Sequence, residues 1–480
     1  MAEGRFLAVG FTSDGHRWFG RGARYRGSQE CFHEREGYIQ MSLCCRFTRY
    51  TGVAVLCVFS GFALAQVSPV AVSSTGVLTI ADAEATALTN QPRMLAAQLR
   101  ARESAQRIRE ARSGFFPTVA FNATGVRVAD AGTSTAAGSL TTSSISDRFA
   151  YGGSLTQLVT DFGRTSALVG SARSASEAQD DLATLTRAQV RLNVRDAYFK
   201  TLGAEAVLRA AQAAQANRHL IGRQLTALAQ SQLRSTVDVN FAEVLASEAD
   251  LAVVRAQSSV AQQRVALANA MGALQPVSSP LAEVALPSAL PLDAESFLHE
   301  AQTQRADLRA TEARQRASTQ FAVAEKRLSY PTLNVLGAAG QIPSHDHTLQ
   351  GEYAAAGFNL NIPVFNGGLF AGRRAEAELE AIARLHDVQQ LKLQVSEEVR
   401  DNWFQADEAY KSLDVSKRLV AQSKEALRLA QARYDAGLGS IVELNEAQLN
   451  ETSAEITAAD ATYNYLSRRT ELDYAAGLLN

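Results

Sequence analysis

The sequence predicts a mainly helical protein with a membrane β-barrel portion, assembled from one unit used twice: a strand pair followed by long helices. Three observations carry that prediction. The segment "VRDAYF" (residues 194–199) returns as "VRDNWF" (399–404), 205 residues later. The same spacing relates "LVTDFGR" (158–164) to "PVFNGGL" (363–369), and Asp238 to Glu443. Proline is absent between Pro117 and Pro276 and again after Pro363, and proline costs about 3 kcal/mol inside a helix. Ahead of each expected long helix, short segments alternate apolar with polar or small residues, which is strand periodicity. A repeat of this kind has to be settled before any fold is assigned.

In chain order, residues 1–40 read as upstream sequence ahead of the true start. Residues 41–65 have the layout of a secretory signal peptide: Arg46 and Arg49, an apolar run over 51–64, then Ala63-Leu64-Ala65 before Gln66. That run, about 14 residues, is short for a membrane-spanning helix. All four cysteines (Cys31, Cys44, Cys45 and Cys57) precede the expected cut, so the processed chain is expected to hold no disulfide and no thiolate metal site. Leu56 ahead of Cys57 does not suit lipoprotein processing. The expectation is an exported chain without a lipid anchor.

The first repeat occupies residues 66–275 and the second 292–480. Between them, 276–291 contains Pro276, Pro280, Pro287 and Pro291 and reads as a linker. Upstream, "FFPT" (115–118) matches "SYPT" (329–332) at a spacing of 214. The nine-residue difference from 205 therefore falls in the strand-pair loops, 129–147 and 342–352, where insertions are tolerated.

Leu182, Leu185, Leu192, Phe199 and Leu202 recur at helical spacing with a narrow, coiled-coil-like stripe. The expected long helices cover 164–230 and 369–435, each on the order of 100 Å at 1.5 Å per residue. Shorter helices are expected over 237–271 and 441–476. A filament or a soluble coiled coil would fit these helices alone. The strands argue otherwise. Phe149, Tyr151 and Leu155 alternate with Ala150, Gly152, Ser154 and Thr156; Phe358, Leu360 and Ile362 alternate with Asn359, Asn361 and Pro363. About ten such residues suit a membrane β-barrel strand. Four strands cannot close a barrel, and lipid leaves no backbone polar group unsatisfied, so the chain has to oligomerise. Three copies would supply twelve strands, within the range of known barrels.

The formal net charge of −2 gives no basic footprint for nucleic acid. The sequence has no nucleophile elbow, phosphate loop or zinc spacing, so neither catalysis nor a cofactor is expected. His345 and His347 in "SHDH" are read as loop residues rather than metal ligands, and Tyr198 and Trp403 as packing residues among the helices.

The ordered set of duplicated unit, "FFPT" and "YPT" strand starts, and "DFGR" and "NGG" junctions resembles the TolC family of outer-membrane factors across the whole processed chain. The resemblance implies a homotrimer with a β-barrel in outer-membrane lipid and an α-helical barrel through the periplasm. It implies a passive duct serving a periplasmic adaptor (membrane fusion) protein and an inner-membrane pump. With an ABC transporter the duct would export unfolded protein by type I secretion, the favoured expectation. With a proton-driven pump it would serve drug or metal efflux.

In this resemblance the turn Gly437-Leu438-Gly439-Ser440 forms the inner tip of the tunnel and its adaptor-facing surface. Gly437 and Gly439 are expected to supply the positive φ that ends a helix. Glu443 and Glu446, three apart on the returning helix, would form an acidic ring that draws cations. The alternative is helix-start chemistry, worth about 0.3–1 kcal/mol. Gly439 stands where family members carry a gate arginine; Tyr434 and Asp238 match its neighbours, and Arg234 is the candidate replacement. At the strand-to-helix junctions, Asp161 and Asn366 are expected to cap the long helices, beside Gly163, Gly367 and Gly368.

Overall fold

A computed structural model describes residues 76–127, 148–232, 235–287, 289–291, 293–344 and 351–480. The expected signal peptide, Arg234, and His345 and His347 lie outside the described residues. The described elements run in one order twice. First come helices α1 (Ile80–Asn90) and α2 (Pro92–Ser113), strands β1 (Thr118–Val126) and β2 (Arg148–Thr160), long helix α3 (Arg164–Gln230) and helix α4 (Thr236–Ala270). Then come α5 (Glu295–Gln304), α6 (Ala306–Lys326), β3 (Thr332–Ser344), β4 (Glu352–Asn361), α7 (Leu369–Asp435) and α8 (Ile441–Ala475). Both long helices have the expected bounds, with 67 residues each. β4 stops at Asn361, so Ile362 and Pro363 lie beyond the strand the alternation suggested. A proline at that point cannot donate to the ladder.

Small residues let these helices pack closely. α3 is the centre of the described body, packed against α4, α6, α2 and α8, while α7 packs against α8, α6 and α5. One apolar cluster joins Met94, Val194, Tyr198, Leu202, Leu267 and Met271, and another joins Phe297, Val395, Val399 and Leu472. Tyr198 is fully buried, with its hydroxyl 2.9 Å from Leu78 O and 2.8 Å from Ala282 O. It therefore fixes the segments that form the parallel bridge Leu78–Leu281 against α3. Trp403, 205 residues later, packs on the second cluster, and its buried indole Nε1 has no hydrogen-bond partner among the described residues.

Gln91 ends α1 and begins α2; Arg305 does the same for α5 and α6, in nearly the same backbone conformation (φ −67°, ψ 116° and φ −63°, ψ 122°). Each side chain reaches the carbonyl end of its repeat's last helix. Gln91 Nε2 donates to Asn269 O and Ala270 O at 3.1 Å, and Arg305 Nη1 to Ala475 O at 3.1 Å. Arg305 also pairs with Asp307 (2.6 Å) and Glu398 (2.7 Å), contacts that outweigh its burial and raise its pKa.

The four strands form one antiparallel sheet in the order β1-β2-β3-β4. Register places Val119, Phe121, Tyr151, Leu155, Val335 and Phe358 on one face, and Thr118, Asn122, Ser154, Thr156, Asn334 and Asn359 on the other. The apolar face is uncovered: Val119 and Phe121 are each 73% exposed and Phe358 77%. On the opposite face Gly152, Gly340 and Tyr353 share one cross-strand row. β2 and β3 approach so closely there that a Cβ on Gly340 would run into Tyr151 O. No described helix is long and apolar enough to cross a membrane.

Candidate functional site

Two regions concentrate the residues singled out by sequence: the turns that end the long helices and the junctions where strands become helices. At the end of α7, Gly437 adopts φ 77°. Its N–H donates to Tyr434 O (3.0 Å), and the Leu438 N–H donates to Arg433 O (2.9 Å). These two bonds satisfy carbonyls that a helix end otherwise orphans. Gly439 departs from expectation, because it is not among the positive-φ glycines. What it supplies is room: a Cβ there would lie 3.2 Å from Tyr434 N and 3.3 Å from Arg433 Cβ. Ser440 then caps α8, its Oγ accepting from the Glu443 N–H at 3.1 Å.

Glu443 pairs with Arg433 across the turn (Nε–Oε1 3.3 Å), whereas Glu446 is exposed with no ion pair among the described residues. Helix-start chemistry thus accounts for Glu443 in part and does not account for Glu446. Tyr434 is buried in an apolar cluster drawn from all four helices: Leu225, Ala242, Ala430, Ile441 and Leu444, with Val239 against it. Asp238, adjacent to Val239, is half-buried.

Two further polar residues meet here that the sequence alone does not single out, Arg218 and Asn445. Arg218 on α3 is 7% exposed and donates to Asn445 Oδ1 on α8 at 3.0 Å. Burial pushes its pKa down while Glu248 pulls it up, and arginine stays charged at neutral pH in either case. No described carboxylate lies within ion-pair distance. The signal in the sequence is a lone arginine within the apolar spacing Leu208, Ala211, Ile221, Leu225, legible only once α8 is known to cover that face.

At the first junction Asp161 is buried and accepts three bonds: from Gly163 N–H (3.0 Å), Thr165 N–H (2.6 Å) and the Thr165 hydroxyl (2.6 Å). Burial pushes its carboxyl up, but these bonds prevail and hold its pKa below the ordinary range. Arg327 ties the junction to α6 by donating to Gly163 O at 2.6 Å. The second junction differs from expectation. The cap position is a glycine in both, Gly163 for α3 and Gly368 for α7, and the carbonyls of Asp161 and Asn366 each accept the first helical N–H at 3.3 Å. Asp161 adds its carboxylate from two residues ahead of the cap, whereas Asn366 contributes its carbonyl alone.

The backbone repeats more faithfully than the residues. Phe162 (φ 54°) and Gly367 (φ 63°) lie 205 apart, as do Gly163 (φ 86°) and Gly368 (φ 83°), and Gln232 (φ 58°) and Gly437 (φ 77°). The first-repeat turn, which lacks the glycine of the second, nonetheless makes the same left-handed step at Gln232.

A family model described as "Outer membrane efflux protein" matches residues 85–273 and 297–478. The chain is 24% identical to the outer membrane protein TolC of Salmonella enteritidis over 317 residues, 60% of this chain and 61% of that protein. It is 24% identical to TolC of Escherichia coli K12 over 152 residues, 32% of this chain and 30% of that protein. It is 26% identical to the toluene efflux pump outer membrane protein TtgF of Pseudomonas putida over 255 residues, 51% of each. These matches therefore span less than two thirds of the relatives' own lengths. Among solved structures, the outer membrane protein VceC of Vibrio cholerae superimposes with a TM-score of 0.70 at 20% identity, covering 83% of this chain and 96% of that one. The open-state MtrE channel of Neisseria gonorrhoeae gives 0.69 at 22% identity, covering 83% and 88%. At such identities the superpositions establish the fold alone. The family is one of outer-membrane transport rather than catalysis. With both repeats matched over most of their length, the chain belongs to the outer membrane efflux protein family.

Proposed function

We propose that three copies of this chain form a continuous duct, barrel in the outer membrane and helical tunnel in the periplasm, that serves as the passive exit of a tripartite exporter. The observation that carries this reading is a matched pair of open sides. β1 and β4 are sheet edges with unpaired backbone groups, and in lipid every such group needs a partner. On the helical side, α4 leaves Phe241, Val244 and Val254 at least half exposed, and α7 does the same with Leu379, Leu393 and Phe404. A head-to-tail ring buries β4 of one copy against β1 of the next and α7 against α4. Such a heterologous contact closes when the rotation per copy divides the circle. The apolar sheet face then meets lipid, and the polar face lines the bore.

A periplasmic adaptor protein would engage the turn Gly437-Leu438-Gly439-Ser440 and its first-repeat counterpart, and an inner-membrane pump would supply the energy. Glu446, with Glu443, would form the cation-attracting entrance; Tyr434, Asp238 and Arg234 would border the gate. For cargo, the favoured sequence expectation is unfolded protein passed on by an ABC transporter. A second reading, efflux of small apolar compounds by a proton-driven pump, draws support from the name of the toluene efflux relative. A clean deletion strain, scored together for secreted proteome and drug or solvent susceptibility, separates them. Loss of one large secreted protein with unchanged tolerance establishes the type I duct. Sensitisation with an intact secretome establishes efflux. No change in either property overturns the export reading.

A further inference from the structure

Four chain segments converge where the sheet meets the helices: the start of β1, the end of β2, the start of β3 and the end of β4. Here the side chains change character. Between this end and the opposite rim the sheet carries no charged residue until Arg148 and Glu352. At the junction itself Phe115, Phe116, Phe162, Tyr330 and Phe365 are exposed, Phe365 by 89%. One turn further into the helices stand Arg109 and Arg112 of α2, Lys326 of α6 and Arg373 of α7, all exposed and without an ion pair among the described residues. Two exposed acids share that level, Glu110 and Glu376, so cations remain in excess by two. Arg164 and Arg327 add nothing to the excess, since the buried Asp161 and Glu325 match them in number, with Arg164 4.0 Å from Glu325 and Arg327 donating to Gly163 O.

Phe162 shows that the aromatic level is held at a cost. A bulky residue rarely adopts φ 54°, and the second repeat places glycine at the equivalent position. The first repeat accepts the strain and gains an exposed ring, packed edge-on against Tyr330 with centroids 6.3 Å apart at 89°. Strain kept at one site points to a use for the side chain. Uncharged apolar face, aromatic level and cationic level follow in the order of acyl chains, interface and headgroups.

We propose that this collar binds the headgroups of anionic phospholipid in the membrane leaflet nearest the helices, with Arg109, Arg112, Lys326 and Arg373 as the phosphate-facing cations and Phe162 and Tyr330 seated at the interface. The inference rests on the membrane placement of the sheet. Its partner is chosen by charge complementarity and by continuity with the apolar face.

The test uses the full-length protein in mixed micelles containing equal amounts of phosphatidylglycerol and phosphatidylethanolamine, with retained lipid counted by native mass spectrometry. The protein should retain phosphatidylglycerol over phosphatidylethanolamine by about five-fold. The ratio should fall toward one in the combined Arg109→Gln, Arg112→Gln, Lys326→Gln, Arg373→Gln variant. It should persist in a control lacking as exposed a set of cations far from the junction, Arg223→Gln, Arg255→Gln, Lys417→Gln. If the combined variant does not fold, Arg112→Gln and Lys326→Gln alone should each roughly halve the ratio. Equal retention by the unsubstituted protein, an unchanged ratio in the variants, or an equal loss in the control overturns the collar. Flotation with zwitterionic vesicles separates the two levels: a protein that floats without lipid preference refutes the collar alone, and one that does not float refutes the membrane placement.

Discussion

Phe162 and Gly367 occupy the same step of the two repeats and share one left-handed backbone conformation, φ 54° and 63°, although one is aromatic and the other has no side chain. A Cβ on Gly367 would meet nothing within 4 Å, so the backbone alone sets the cost of replacing it. Gly367→Val should lower stability by about 1–2 kcal/mol, seen as a lower thermal midpoint of the detergent-purified protein. An unchanged midpoint would mean that the junction relaxes to negative φ.

Gln232 makes the same point at the other end of α3. It takes φ 58° where the second repeat has Gly437. Gln232→Gly should stabilise the turn by roughly 1 kcal/mol, and Gly437→Gln should destabilise its counterpart by a similar amount. Protection of the turn amides from hydrogen exchange reports both; opposite signs for the two substitutions are required.

Asp161 should make the first junction sensitive to acid. Its folded pKa is depressed below the ordinary 3.8. Its contribution is therefore complete above that value and is lost as pH falls through the lower folded value. Asp161→Ala should cost about 0.5–2 kcal/mol at neutral pH, and the difference from the unsubstituted protein should shrink below about pH 4. Thermal midpoints at pH 7 and pH 3 measure this; a pH-independent difference would assign the loss to packing.

Arg218 and Asn445 form a polar layer between apolar ones. Asn445→Leu removes the acceptor and leaves a buried cation, at a cost of about 1–3 kcal/mol. Arg218→Met combined with Asn445→Leu should recover most of that loss, because an apolar pair of similar size avoids the desolvation. A double-mutant cycle on thermal stability gives the coupling; purely additive effects would show that the 3.0 Å contact contributes little.

Within the proposed trimer, Glu446 should matter more than Glu443, since Arg433 already offsets Glu443. In planar bilayers Glu446→Gln should remove most of the cation preference, and Glu443→Gln less. Equal selectivity in both variants and the unsubstituted channel would eliminate the acidic entrance.

Much of this architecture was legible in the sequence. The spacing of 205, the proline-free stretches and the period-two segments located both long helices at their observed ends, because helix breakers and repeat spacing are local properties. The site was legible unevenly. Asp161 and Ser440 announce themselves as short polar side chains ahead of helices. The second-junction cap did not follow: both junctions use a carbonyl and two left-handed residues, and only the first adds a carboxylate. The role of Gly439 as a close-approach residue also escaped, since sequence does not distinguish room for a neighbour from freedom in φ.

The sequence by itself determined the two-fold unit, the helix lengths, and the alternation that gives the sheet one apolar and one polar face. Each follows from covalent geometry and side-chain periodicity within a single element. Only the tertiary structure decided what those faces meet. It put Arg218 under α8, drew Arg433 across a turn to Glu443, set Gln91 and Arg305 against the carbonyl ends of α4 and α8, and gathered four separate segments into one aromatic and cationic level. Such contacts join residues as much as 227 positions apart, as Arg218 and Asn445 are, and their energies depend on burial and distance, which exist only once the helices have packed.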